Sequence, residues 1–225
     1  MRSCAARTRP ASRRWRGFVT GALLLVATIA RASTPLDAYL DSLKTLRASF
    51  LQTLADPHGH EIDRATGTLI VSRPGKFSWD IHPQSANGAA TGAGQLMVCD
   101  GTNLWFLDRD LQQVTVKPVD AALTATPAML LSGTANLREN FKITDAGKRA
   151  GLVWVLVEPL ATEADFRSAL FGFAGGDLKR MIVEDKLGQT ATVMFEQVTR
   201  NVAVNPSDVS FTPPKDVDVI GTPHP

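Results

Sequence analysis

Hydrophobic residues follow two periods along this chain. From Pro35 to about Leu54, the apolar positions Leu36, Tyr39, Leu40, Leu43, Leu46 and Phe50 recur at intervals of three and four, which predicts one amphipathic helix. Ser33 or Thr34 can cap it, and Pro35 suits its first turn. After the turn signal DPHG the period changes to two: TGTLIVS, GKFSWDIH, QLMVCD, TNLWFLD and LQQVTVKP read as short strands separated by Gly, Pro, Asn and Asp. VDAALTATPAMLLSG interrupts them with one or two short helices, Pro127 at a start and Gly133 at a stop. Strands resume in NFKITDA, LVWVLVEPL, FRSALFGF, LKRMIVED, TATVMFEQVTR and DVSFTPP, with turns such as AGGD and DKLGQ implying hairpins and antiparallel order. So few helices cannot cover both faces of such a sheet. The expected fold is therefore mainly β, an antiparallel sheet that curls and leaves the helices on its concave side.

The amino terminus changes how composition is read. SRRWRGFVTGALLLVATIARA has an arginine-rich start, an apolar run from Phe18 to Ile29 and small residues at Ala30 and Ala32, the pattern of a secretory signal peptide cleaved after Ala32. The run is shorter than the ~20 residues that span a bilayer. Residues 1–32 are thus a predicted signal peptide and 33–225 a single soluble, exported domain. Seven of the 24 basic residues and none of the 22 acids lie before Ser33, leaving 17 bases against 22 acids and a net charge of −5 for the mature chain. That balance removes the electrostatic support for a nucleic-acid partner. Cys4 leaves with the signal and only Cys99 remains, so no intramolecular disulfide is available and a hydrophobic core must supply stability.

Catalytic constellations are not apparent. The sequence carries no GxSxG elbow, SxxK or HExxH. Cys99 sits inside an apolar strand as a small filler, and His58 and His60 in DPHGHEID read as a solvated turn. Asp108 and Asp110, like Glu184 and Asp185, flank predicted turns. No enzymatic activity, metal or cofactor is expected. QSANGAATGAGQ, residues 84–95, is a small-residue hairpin loop without the pattern of a phosphate-binding loop.

The surplus is apolar and aromatic. In RPGKFSWDIHP, residues 73–83, Phe77, Trp79 and Ile81 project to one face of a strand and Lys76, Ser78 and Asp80 to the other. That apolar face either fills an ordinary core or lines a cavity meant for something other than protein. Trp105 and Phe106, and then Met129, Leu130 and Leu131 in the helical insert, add to the surplus.

RPGKFSWD, CDGTNLWFLDRDLQQVT, TPAMLL and VSFTPPKDVDVI occur in that order behind the signal, and together they resemble the outer-membrane lipoprotein carrier proteins, the LolA-like family of the periplasm. The similarity runs from the first helix through DKLGQTATVMFE to the carboxy terminus. It implies a periplasmic carrier that binds lipoprotein acyl chains between an open antiparallel half-barrel and a helical lid. Cargo would come from an inner-membrane ABC exporter and pass to an outer-membrane receptor. It also implies that Arg73 latches the lid through hydrogen bonds to lid backbone, that Phe77 and Trp79 form the aromatic strand, and that Pro127 to Leu131 belong to the lid. The candidate acyl contacts are accordingly Phe50, Phe77, Trp79, Trp105, Met129 and Leu130. The loop at 84–95 is longer than the connection usual in the family. Similar short motifs occur in periplasmic regulators of the same fold, so a lipid- or lipoprotein-sensing regulator is the alternative. A carrier that presents its mouth to two partners in turn is simplest as a monomer.

Overall fold

The computed structural model describes residues 33–224 apart from 123–125, 127, 134–136 and 163. The predicted signal segment and the predicted helix start at Pro127 lie outside the described residues.

Chain order explains the architecture. After helix α1 (Pro35–Ser42) come six strands: β1 (Thr45–Ala55), β2 (Glu61–Ser72), β3 (Lys76–Gln84), β4 (Gln95–Asp100), β5 (Asn103–Asp108) and β6 (Gln113–Pro118). A 3-10 turn (Val119–Ala122) and helices α2 (Ala128–Ser132) and α3 (Leu137–Asn140) follow. The strands resume with β7 (Phe141–Arg149), β8 (Leu152–Pro159), β9 (Phe166–Ala174), β10 (Asp177–Asp185) and β11 (Thr190–Arg200), then a 3-10 turn (Pro206–Val209) and β12 (Asp218–Ile220). All twelve strands form one sheet in the order β12-β6-β5-β4-β3-β2-β1-β11-β10-β9-β8-β7. It is two antiparallel meanders, β1–β6 and β7–β11, joined where β1 pairs with β11. Only β12 runs parallel to its neighbour, β6. The order does not close on itself, so β12 and β7 are edges.

Two consequences position the site. One hydrophobic cluster contains Leu104 of β5, Phe141 of β7, inward residues of the strands between them, and residues of α1 and α2. Flat, those nine strand spacings would span about 43 Å, while an eight-residue helix is about 12 Å long. A shared core therefore requires the sheet to curl around the helices, as the shortage of helices predicted. Between β6, near one edge, and β7, at the other, the chain places α2 on the inner face, where its residues Ala128 to Leu131 join the shared cluster.

The long first helix is a correction. It stops at Ser42, and Thr45–Ala55 is a strand. Leu43, Leu46 and Phe50 satisfy a helical period, but Leu46, Ala48 and Phe50 also alternate, and these three are the buried positions of β1. Hydrogen-bonded partners on both sides, β2 and β11, settle the choice at long range. What remains helical is well specified. Thr34 Oγ1 accepts from the Asp37 N–H at 3.3 Å, and an Asp37 carboxylate oxygen accepts from the Thr34 N–H at 2.7 Å. Pro35 occupies the first turn, and Leu36, Tyr39 and Leu40 are buried, each contributing about 1.5–3 kcal/mol.

DVSFTPP is a second correction, because it forms a 3-10 turn and irregular chain, and the last strand is Asp218–Ile220. Its apolar residues follow contacts on the outer face instead of a ladder: Phe211 lies 5.5 Å from Trp105, ring to ring. The 84–95 loop is tied back at both ends. Ser85 N–H donates to Ala89 O at 2.9 Å, and the Asp110 carboxylate accepts from Ala93 N–H at 2.9 Å and Gly94 N–H at 3.2 Å.

Candidate functional site: an apolar face under two helices

Strand register shows which side chains share the inner face. Leu46, Val71, Phe77, Cys99 and Leu104 lie opposite one another across β1–β5, and Ala48, Leu69, Trp79, Met97 and Phe106 form the next row. Directly opposed residues point to the same side of a sheet, so these rows form a continuous apolar floor. Phe50 stands opposite Gly67, and its ring meets Trp79 edge-on at 5.6 Å and 73°. Glycine is required there, since a Cβ on Gly67 would lie 2.6 Å from Phe50 Cζ and 1.9 Å from Asp80 O. In the second meander Phe195, Val193, Met181, Phe171 and Val155 continue the floor.

The helices cover it. Ala128, Met129, Leu130, Leu131 and Ser132 of α2 are all buried, as are Leu36, Tyr39 and Leu40 of α1. Where α1, α2 and the β2–β3 turn meet stands Arg73. Its Nη1 donates to the Leu40 carbonyl of α1, and its backbone N–H donates to Lys44 O at 2.8 Å. The guanidinium also packs on Gly133, just past α2, so closely that a Cβ there would be 2.6 Å from Nε. Gly133 has φ +73°, a conformation glycine adopts without strain. The Gly75 N–H donates to Ser132 O at 2.8 Å, a second tie between the turn and α2. Burial pulls the Arg73 guanidinium below its ordinary pKa, and the Asp41 carboxylate works the other way.

At the other end of α1, Arg138 of α3 bonds Asp37 at 2.6 Å. Burial raises the Asp37 pKa, but hydrogen bonds from Thr34 and the charge of Arg138 outweigh it, and the carboxyl stays below its usual value. Tyr39 meets Phe173 at 5.4 Å with the rings tilted by 54°, and Arg200 lies over its ring at 5.2 Å. Burial pushes its phenol up to about 12.

Among the described residues, a cleft of about 230 Å³ lies beside these rows, lined by Met97, Leu104, Phe106, Thr115, Lys117 and Asp165. Phe50, Phe77, Trp79, Met129 and Leu130 all belong to the shared inner cluster. Trp105 does not, and its assignment to the cavity is corrected. It faces outward with Val98, Leu107, Val114 and Val116, packed under Phe211, and its Nε1 donates to Asp100 at 2.6 Å. Adjacent strand residues point to opposite faces, so of the pair Trp105–Phe106 only Phe106 can line the cleft. Phe106, Met97, Leu104 and Tyr39 were missing from the candidate set; cross-strand register from Trp79 identifies the first two, and a sequence does not print register. Cys99 is buried, its thiol raised by burial and directed at Gly75 O at 3.0 Å. His58 and His60 are exposed, with His60 Nδ1 3.2 Å from an Asp56 carboxylate oxygen.

The family model described as outer membrane lipoprotein carrier protein LolA matches residues 41–212. The outer-membrane lipoprotein carrier protein of Dechloromonas aromatica is 38% identical over 200 residues, 89% of this chain and 92% of that one. The chain belongs to the LolA family. The carrier protein of Methylobacillus flagellatus is 32% identical over 210 residues, 91% of this chain and 98% of that one. Among solved structures, a LolA superfamily protein of Nitrosomonas europaea superposes with a TM-score of 0.42 at 11% identity, covering 80% of this chain and 99% of that one. As a LolA-family chain the molecule is mainly β, with one open sheet and few helices.

Proposed function

We propose that this chain is exported by residues 1–32 to the periplasm and there carries acylated lipoproteins; its relatives are named outer-membrane lipoprotein carrier proteins. Cargo arrives from an inner-membrane ABC exporter and leaves to an outer-membrane receptor. The acyl chains lie on Phe50, Phe77, Trp79, Phe106, Met129 and Leu130, and Arg73 latches α1 and α2 over them.

One observation carries the reading: an apolar floor spread across both meanders is covered by helices of only eight and five residues, and an arginine binds at their joint. Exposing acyl chains to water costs ~0.8 kcal/mol per methylene, so several long chains amount to tens of kcal/mol. They need such a floor. The cleft of about 230 Å³ falls short of the ~300 Å³ at which ligand pockets begin, so it takes a long chain only if the helices move. Movement exposes the floor only when cargo replaces the cover, and the cover then competes with cargo for it, which limits affinity and permits release without a nucleotide.

Native mass spectrometry of the chain isolated from its own periplasm tests this. An acylated polypeptide adduct is expected, and it should be lost from Phe77→Glu, which sets a carboxylate on the floor. A chain without lipid and stably bound to a membrane-protein domain would instead identify a regulator.

A further inference from the structure

Among the described residues there are three tryptophans, and two have acceptors. Trp105 Nε1 donates to Asp100 at 2.6 Å and Trp154 Nε1 donates to Arg149 O at 3.1 Å. Trp79 Nε1 has none, although the residue is only 6% exposed. Tyr39 Oη, on a residue 3% exposed, is the second buried polar side-chain atom without a partner. Unsatisfied buried donors are costly and rare in folded proteins. Both belong to the inner cluster, one on the floor and one on the covering helix. Trp79 is flanked across the ladder by Leu69 and Met97 and met edge-on by Phe50, so its side-chain neighbours there offer no oxygen. A phenylalanine would fill the same apolar role without an orphan N–H.

The donor lies along the route to the cleft. Trp79, Met97 and Phe106 form one cross-strand row, and the last two line the cleft. A cargo chain displacing α1 and α2 therefore brings its own atoms to Trp79. Hydrocarbon cannot accept a hydrogen bond, but the carbonyl that joins a fatty chain to its head group can.

We propose that Trp79 Nε1 hydrogen-bonds an acyl carbonyl oxygen of the cargo and that Tyr39 Oη, on the moving helix, offers a separate donor to another, so that the cavity selects fatty acyl esters and amides over bare or ether-linked hydrocarbon. The assignment rests on the carrier reading and adds a polar contact to it. When empty, the closed state keeps both donors unpaired; when loaded, the cargo's carbonyls relieve one or both, and binding is strengthened for acyl compounds alone.

The test compares two probes of equal chain length, a dipalmitoylglyceryl-cysteinyl peptide and its dihexadecyl ether counterpart, titrated into the mature chain by calorimetry. The wild-type chain should bind the ester about three- to tenfold tighter, the scale of one hydrogen bond. Trp79→Phe should abolish that ratio and Tyr39→Phe should reduce it. Packing lost in Trp79→Phe affects both probes, so the ratio isolates the N–H. A second pair, dipalmitoyl phosphatidylglycerol and its diether, separates lipopeptide from phospholipid as the source of the ester. A wild-type preference in either pair that Trp79→Phe removes supports the contact. Equal binding within both pairs, or a ratio retained in Trp79→Phe, overturns it. Failure of the wild-type chain to bind any of the four would overturn the carrier reading itself, and the donor assignment with it.

Discussion

At the scale of single residues, the closed cover depends on how tightly Arg73 meets Gly133. A hydrogen bond to a charged donor contributes about 1.5–3 kcal/mol, reduced where solvent reaches the guanidinium. Arg73→Leu removes the bond to Leu40 O and should loosen α1 and α2 while leaving the floor unchanged. Gly133→Ala should act the same way from the other side, because its Cβ would fall 2.6 Å from Arg73 Nε and the backbone there has φ +73°. Amide hydrogen exchange checks both. Protection of the Leu43 N–H, which donates to Leu40 O at 3.2 Å, should fall in each variant, whereas β9 and β10 should exchange as in the wild type. If Gly133→Ala exchanged like the wild type throughout, the close approach would not hold the cover. Transfer of cargo to acceptor vesicles should slow in Arg73→Leu, since an open cover no longer competes for the floor. Much at this scale was readable beforehand. Alternation marked Phe77 and Trp79, whereas Arg73 was marked only by the resemblance to the family; all three stand at the cover or under it. Choosing Phe106 over Trp105 required register, which no property of either residue encodes.

Among the elements, α1 shows how a short helix is held at both ends. Its first turn depends on the Asp37 carboxylate, which accepts from Thr34 and Arg138, and its last on Arg73. Because hydrogen bonding holds the folded Asp37 pKa below its unfolded value, its stabilisation is present above about pH 4 and is lost as pH falls through the depressed value. Asp37→Asn removes the carboxylate that reaches back to the Thr34 cap and should lower stability by about 1 kcal/mol near neutrality. Thermal melts from pH 6 to pH 3 should therefore show the variant below the wild type at pH 6 and converging on it at pH 3. Parallel curves would mean that Asp37 is not linked to folding. Asp100, lowered by bonds from Asn103, Trp105 and Thr102 against the raising effect of burial, adds acid sensitivity in both proteins and cancels in the comparison. The sequence marked the start of this helix through Thr34 and Pro35. It did not mark its end, because the apolar spacing after Leu43 suits a helix and a strand alike, and the hydrogen-bond partners of β1 arrive from residues 61–72 and 190–200.

For the molecule as a whole, an open sheet must manage two edges. β12 protects one of them, lying parallel to β6, with Asp218 N–H donating to Gln112 O at 3.0 Å and the Asn103 amide bonded to His224 at 3.0 and 2.8 Å. Exposed edges pair with other chains. A chain ending at Asp216 loses that strand and the packing of Val217 on the outer cluster. It should lose about 1–3 kcal/mol of stability and associate through β6, which light scattering would detect as dimer. Acyl binding should survive, because the outer cluster lies on the opposite face from the floor. A truncated chain that stayed monomeric at the wild-type stability would make β12 dispensable.

Local pattern by itself determined much of this protein. Alternation of apolar and polar residues identified most of the strands, the glycine and proline punctuation set their turns, and a shortage of helices required a curled sheet. Those features act between neighbours, so they can be read along one dimension. Tertiary structure decided where the first helix ends, that DVSFTPP lies across the outer face, which of two adjacent aromatics faces the cleft, and that Trp79 and Tyr39 keep donors without acceptors. Each of these depends on which distant strand supplies the opposing residue. The information that fixes it is the register between strands far apart in the chain, and a one-residue shift in register exchanges the two faces.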